Sequence, residues 1–365
     1  TIVAMILLVI FIAIAIVPLD ASPIRKFRLA CPGSTNYLAG VGNNDIKDIA
    51  AFCVSGKTFR VNSVEYEFGN LVCNTRPLSV VRKTGKRCLD VYSEVEIGFD
   101  LKDDFLRTVE ICRDDDIYAT LYTKFNLTKS IGGQQRSYSR PSWRQGNDLW
   151  GPYSVNTQYT RAVEKATLSH ILNSTELGDK YISHTSNYYF ARGHLVANSD
   201  FVYGLAHWST FWYVNAYPQW QTFNGANWEC LEKDVRSFAS NTQLNLDVYT
   251  GTHGITTLPD INSVEQPIYF YASGEDQALA VPLFFWKIIY DPIAQTGTAF
   301  VGVNNPYITN STADYYICQD ISSRISWLTW KPDNITRGIS YACTVDDLRT
   351  VVPTLPGLNV VDILI

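Results

Sequence analysis

Trp228, Leu231, Val235 and Phe238 recur at steps of three, four and three, the spacing of one buried face of an α-helix. At about 100° per residue, Glu232 and Arg236 fall together along the border of that apolar stripe. A catalytic carboxylate and guanidinium would be useful there, half-sheltered and pointing into a cleft. Asn224 stands just ahead of the pattern and reads as its N-cap, with Gly225 and Ala226 as small first-turn residues. Before it, Tyr188–Phe190 and Phe211–Val214 are aromatic and β-branched runs that read as strands. The local order is strand, loop, strand, helix. Arg192-Gly193-His194 follows the first strand and brings a cation and a base close together.

A chain of 365 residues with 46% hydrophobic and 18% charged residues can bury a core and exceeds one average domain. Ile2 to Val17 is an unbroken apolar run ended by Pro18-Leu19-Asp20-Ala21-Ser22. It reads as a signal peptide over residues 1–21, cleaved after Ala21, because a membrane span needs about 20 apolar residues. The eight cysteines form no CxxC pair, which argues for disulfides in an oxidising compartment over a zinc site. Five precede residue 115 and three follow it, so complete pairing requires a bridge between the two parts. Sequons at Asn126, Asn173, Asn310 and Asn334 suit a secreted glycoprotein.

Residues 22–115 read as a small β-rich, cysteine-rich module and 116–365 as the main domain. Asp114-Asp115-Asp116 lacks the ligand spacing of a calcium loop and reads as a solvated turn. The net charge of −5 hides a basic segment, Lys124 to Lys165, with seven cations against Asp148 and Glu164. Local cations, not the sum, set affinity for polyanions. Tyr138, Trp143, Trp150, Tyr153 and Tyr159 are interleaved with them and suit stacking on unpaired bases. After the helix, Leu244–Thr250, Ile268–Tyr271, Leu283–Tyr290 and Gly297–Val303 read as strands completing an antiparallel sheet, and Asp320–Leu328 as a short helix. The overall expectation is an α+β fold.

The order and spacing of RGH at 192–194, NAYPQ at 215–219, NGANWECLE at 224–232, Arg236 and VYTGTHG at 248–254 resemble the ββα-metal finger of the DNA/RNA non-specific endonuclease family. The resemblance runs roughly from Phe125 to Tyr307 and is greatest to secreted arthropod members. It implies a ββα-metal nuclease domain built on an antiparallel sheet with flanking helices. The family usually carries Asp-Arg-Gly-His, and Ala191 stands here in place of that Asp.

The resemblance implies roles that the chemistry of each group supports. Phosphodiester hydrolysis needs water deprotonated as it attacks, which a neutral imidazole does near pH 7, so His194 is the expected general base. Asn224 is the expected direct ligand of Mg²⁺, with Mn²⁺ as an alternative ion, because Mg²⁺ prefers oxygen and keeps most of its waters. Glu232 is expected to hold metal-bound water, and Arg192 and Arg236 to offset charge on the transition state. The products implied are 5′-phosphate ends. Plainer explanations exist: an N-cap for Asn224, and an i,i+4 ion pair for Glu232 with Arg236. Asn215 and Gln219 flank Tyr217-Pro218 and suit a positioning role. Ser209 lacks the GxSxG elbow of a serine hydrolase, and His207 sits among apolar residues as a structural histidine. The expected partner is DNA and/or RNA; no protein partner, and no membrane contact after signal removal, is readable. Two alternatives are a secreted polyanion-binding protein that keeps the fold with weakened turnover, and a structural extracellular glycoprotein.

Overall fold

A computed structural model describes residues 15–18 and 26–365, except 44, 102, 137, 138, 310 and 311. Its centre is an eight-stranded sheet in the order Ser340–Cys343, Thr296–Val303, Pro282–Asp291, Leu246–Ile255, Ala119–Leu127, Phe105–Asp114, Tyr92–Asp100 and Val80–Cys88. Every neighbouring pair in it is antiparallel. Side chains alternate between its faces. In Pro282–Asp291, Phe284, Trp286, Ile288 and Tyr290 enter one core while Phe285 and Ile289 enter the other. The second core is shared with the helices Arg161–Ile171 and Thr175–Tyr181 and the helix bearing Trp228. The first is covered by the C-terminal segment, including the helix Val345–Val351. Cover on both faces explains why these strands read as near-continuous apolar runs. The architecture is α+β, as expected.

The finger is a two-stranded antiparallel ribbon of Phe190–His194 with Ala216–Trp220, followed by a helix. Phe211–Val214 is not a strand. It is a buried segment leading into the 3₁₀ turn Tyr213–Asn215. Its apolar run reflects burial in the core, a signal that periodicity alone does not separate from ladder pairing. The finger helix starts earlier than expected: Gln221–Phe223, then a π-helical turn over Asn224–Trp228, then Glu229–Thr242. Asn224 is therefore not an N-cap; it has helical backbone angles (φ −55°, ψ −47°). Gly225 (φ −89°, ψ 21°) is where the helix departs from regularity. The expected stripe holds, with Trp228, Leu231, Val235 and Phe238 all buried.

The N-terminal part forms a separate sheet of Ala15–Pro18, Lys26–Ala30, Asp48–Ser55, Thr58–Val61 and Val64–Glu67 around Phe27, Leu29, Leu38 and Val61. Most of the apolar run Ile2–Val17, and with it the expected signal peptide, lies outside the described residues. No described helix is long and apolar enough to cross a membrane. A module boundary at 115 does not match the sheets. The segment 80–114 supplies three strands of the large sheet, because Val95, Ile97, Val109 and Ile111 alternate into its core.

Three disulfides are present, Cys31–Cys73, Cys88–Cys112 and Cys318–Cys343. Cys53 and Cys230 are unpaired, so the bridge between the two parts that complete pairing required is not formed. Tyr269–Ser273 pairs with Asp276–Ala280 in a hairpin of its own instead of joining the large sheet. Only Ser322–Arg324 is helical within the expected 320–328 helix, and it is a 3₁₀ turn. Asn126, Asn173 and Asn334 of the sequons are exposed; Asn310 lies outside the described residues. In the acidic turn, Asp115 accepts hydrogen bonds from Lys83 and Ser93.

Candidate active site

Register decides which residues of the ribbon share a face. Arg192 pairs with Pro218 and His194 with Ala216, so the two basic residues point the same way. The His194 ring packs on Trp143 (4.6 Å between centroids) and Phe211 (5.0 Å). Its Nε2 is 3.4 Å from Thr210 Oγ1. Burial pushes the imidazole down to about 3, and the charge of Arg140 adds to this. Some of its surface stays open, and the consequence is a ring held neutral at physiological pH. Arg192 donates from Nε to the Tyr213 hydroxyl (3.0 Å) and from Nη2 to Asn156 Oδ1 (3.3 Å). The Tyr213 hydroxyl donates in turn to Asn156 Oδ1 (2.6 Å). Trp143 stacks on Tyr213 and Tyr213 on Tyr159. His194 and Arg192 thus stand along one aromatic wall.

The backbone leaving His194 is tied down by Asn215. Its Oδ1 accepts from Val196 N (2.9 Å), and its Nδ2 donates to Val196 O (2.9 Å) and Thr210 O (3.0 Å). Asn215 is fully buried, so the expected positioning role has a geometric basis. Gln219 differs: it is fully buried, and among the described residues neither its amide oxygen nor its nitrogen has a partner. It lies over Gly193, where a Cβ would come 2.3 Å from Gln219 Oε1, and its register partner is Ala191.

On the finger helix, Asn224 Nδ2 donates to Gln221 Oε1 (3.1 Å), which leaves its own amide oxygen unengaged among the described residues. Glu232 accepts no hydrogen bond among them. Its carboxyl is pushed up to about 7, by burial first and the charge of Asp200 second, with Lys287 and Arg236 opposing. Arg236 donates from Nη1 to Asp200 Oδ1 (2.7 Å), not to Glu232. Asp200 ends the 3₁₀ turn Asn198–Asp200 that follows the RGH strand. Lys287 is fully buried and acts on both carboxylates. Two acids and two cations therefore balance beneath the finger.

The expected site residues fall into a His194–Arg192 group on the aromatic wall and a Glu232–Arg236 group with Asp200 and Lys287. Asn224 stands at the π-helical turn, in hydrogen-bond contact with neither. Among the described residues no three of His, Cys, Asp and Glu gather as a metal cluster. An unengaged amide oxygen and an unengaged carboxylate on one helix fit an ion that keeps most of its waters.

The basic segment is largely spent on structure. Lys124, Arg161 and Lys165 are ion-paired with Asp247, Glu164 and Asp179, and Arg144 lies over Trp212. Arg136 and Arg140 make no ion pair among the described residues, and Arg140 is near enough to act on His194. Trp150 is buried under Arg113, and Tyr138 lies outside the described residues. Asn156, Asp200 and Thr210 carried no sequence signal, and Tyr213 carried one only as part of the aromatic run Phe211–Val214. Lys287 did carry one, as the single charge within the apolar run Phe284 to Tyr290.

A sequence profile of the DNA/RNA non-specific endonuclease family matches residues 93–348. A salivary endonuclease of Lutzomyia longipalpis is 26% identical over 309 residues, 82% of this chain and 72% of the relative. The salivary protein Tsal2A of Glossina morsitans morsitans is 23% identical over 346 residues, 91% of this chain and 81% of the relative. A solved EndoG/EndoGI complex is similar at 18% identity with a TM-score of 0.38, over 63% of this chain and 84% of the solved one. The family's cofactor is a divalent metal ion and its substrate is nucleic acid. Together with the ββα order of the finger, the profile match makes this chain a nuclease belonging to the DNA/RNA non-specific endonuclease family.

Proposed function

We propose that the chain is a secreted, Mg²⁺-dependent endonuclease that cuts DNA, RNA or both with little sequence preference and leaves 5′-phosphate ends. The observation that carries this is His194, an imidazole held neutral beside a guanidinium that Tyr213 and Asn156 orient. His194 takes the proton of the attacking water. An anionic phosphodiester arriving beside the ring raises its basicity, so the base gains strength only once substrate is bound. Arg192 and Arg236 offset the charge that builds on phosphorus. Asn224 Oδ1 would hold the ion and Glu232 one of its waters. Bound there, Mg²⁺ supplies Lewis-acid charge to a phosphate oxygen. Contacts made to phosphate carry no base information, which supports tolerance of sequence. Secretion is supported by the three disulfides and by the salivary relatives, and glycosylation by the exposed sequons.

The test is plasmid cleavage. His194→Ala lowers the rate about 10²–10⁴-fold with the fold intact, and EDTA stops the wild type. A folded variant that cuts at the wild-type rate removes His194 as the base. A second reading, a polyanion-binding protein with weakened turnover, draws on Ala191 and the amide of Gln219 opposite it, which has no partner among the described residues. A gel separates the two: a binder shifts DNA in Mg²⁺ without shortening it.

A further inference from the structure

Lys287 lies in the middle of Pro282–Asp291, where Phe285, Trp286, Ile288 and Ile289 are fully buried and Lys287 itself is 1% exposed. An ammonium so deep is costly unless its donors and its charge are matched. The matches come from three different elements. Nζ donates to Thr250 Oγ1 at 2.6 Å, on the residue directly opposite in the neighbouring strand. It also donates to Leu195 O at 3.4 Å, the carbonyl immediately after His194. It lies 5.3 Å from the Trp228 ring centroid on the finger helix, and its charge acts on Glu232 and Asp200. The central sheet, the end of the RGH strand and the finger helix therefore meet at one atom. An apolar side chain would fill the same volume and pack on Trp228, but would make neither hydrogen bond and carry no charge toward Glu232 and Asp200.

We propose that Lys287 is a positioning residue for hydrolysis: anchored by Thr250, it fixes the backbone leaving His194 against the helix face that carries Glu232. The inference rests on the reading of His194 and Glu232 given above. Lys287 touches no substrate; it sets the separation between the base and the carboxylate.

The experiment uses the full chain with Lys287→Met, Thr250→Val and Thr250→Ser. Folded fraction is measured by circular dichroism, and kcat and KM on plasmid DNA are expressed per folded molecule. In metal-free protein, hydrogen exchange is followed over the segment 190–200. Lys287→Met and Thr250→Val lower kcat about 10- to 100-fold with KM little changed, and exchange quickens after residue 194. Thr250→Ser keeps the anchoring hydroxyl and loses less kcat than Thr250→Val. Should Lys287→Met not fold, the two Thr250 variants decide alone. An unchanged kcat per folded molecule, a loss confined to KM, or equal losses in Thr250→Ser and Thr250→Val each overturn the proposal. A His194→Ala variant that cuts like wild type would instead sink the underlying assignment of the base, whatever the Lys287 series does.

Discussion

Arg236 donates to Asp200 Oδ1 at 2.7 Å, although Glu232 lies one helical turn away on its own helix. The two side chains are 15% and 6% exposed, so this is a largely dehydrated pair. Its effect on the site is that, among the described residues, the Glu232 carboxylate keeps no direct ion pair and feels Arg236 and Lys287 only through their charge. It also binds the loop after His194 to the finger helix.

Removing one partner of such a pair strands the other charge, at a cost of about 3–5 kcal/mol. Asp200→Ala is therefore expected to lose about that much unfolding free energy in urea. Removing both charges, as in Asp200→Leu with Arg236→Met, is expected to recover most of the loss. A single variant that unfolds at the wild-type midpoint would show that the pair does not stabilise the fold.

Glu232 gives a pH dependence of definite sign. Its folded value of about 7 lies above the ordinary 4.5, so between those values the native state holds the proton more tightly than the unfolded chain. The contribution to stability is full below pH 4.5 and is lost as pH rises through 7. In EDTA, Glu232→Gln should gain melting temperature over wild type at pH 8 more than at pH 5. An equal difference at both values would contradict the burial assigned to this carboxyl.

His194 titrates in the opposite sense. With its folded value at about 3, the ring should show no change in its carbon-bound proton shifts between pH 8 and 5 in metal-free protein. Trp143→Ala opens one wall of the pocket, and the value should climb toward 6.5. A wild-type ring that titrates near 6.5 by NMR would mean it is not held neutral.

Asn215 supports its loop with three bonds made by one side-chain amide. Each buried group left unpaired costs about 1–3 kcal/mol. Asn215→Ala should destabilise by more than about 2 kcal/mol, and Asn215→Asp at least as much, since it turns a donor into an acceptor facing two carbonyl oxygens. Chemical denaturation would read this, and a neutral Asn215→Asp would refute it.

Legibility in the sequence followed the range of the interactions. The stripe Trp228, Leu231, Val235 and Phe238 was readable because a helix repeats its buried face locally. The start of that helix was not. Gln221–Phe223 continues it upstream, and the π-helical turn accommodates Gly225, which no periodicity reports. The aromatic run Phe211–Val214 misled for the same reason: a buried segment with a single bridge, Trp212 to Arg144, leaves the same apolar letters as a strand.

By itself the sequence determined the strand-then-helix order of the finger, its buried stripe, and the residue types that chemistry on phosphate requires, since these depend on neighbours within a few positions. Tertiary structure alone decided the pairings between distant groups. Arg236 meets Asp200 from 36 positions away and Lys287 reaches Leu195 from 92. A buried charge takes whichever counter-charge the packed core brings within reach, and that choice is made by the meeting of sheet, loop and helix in space.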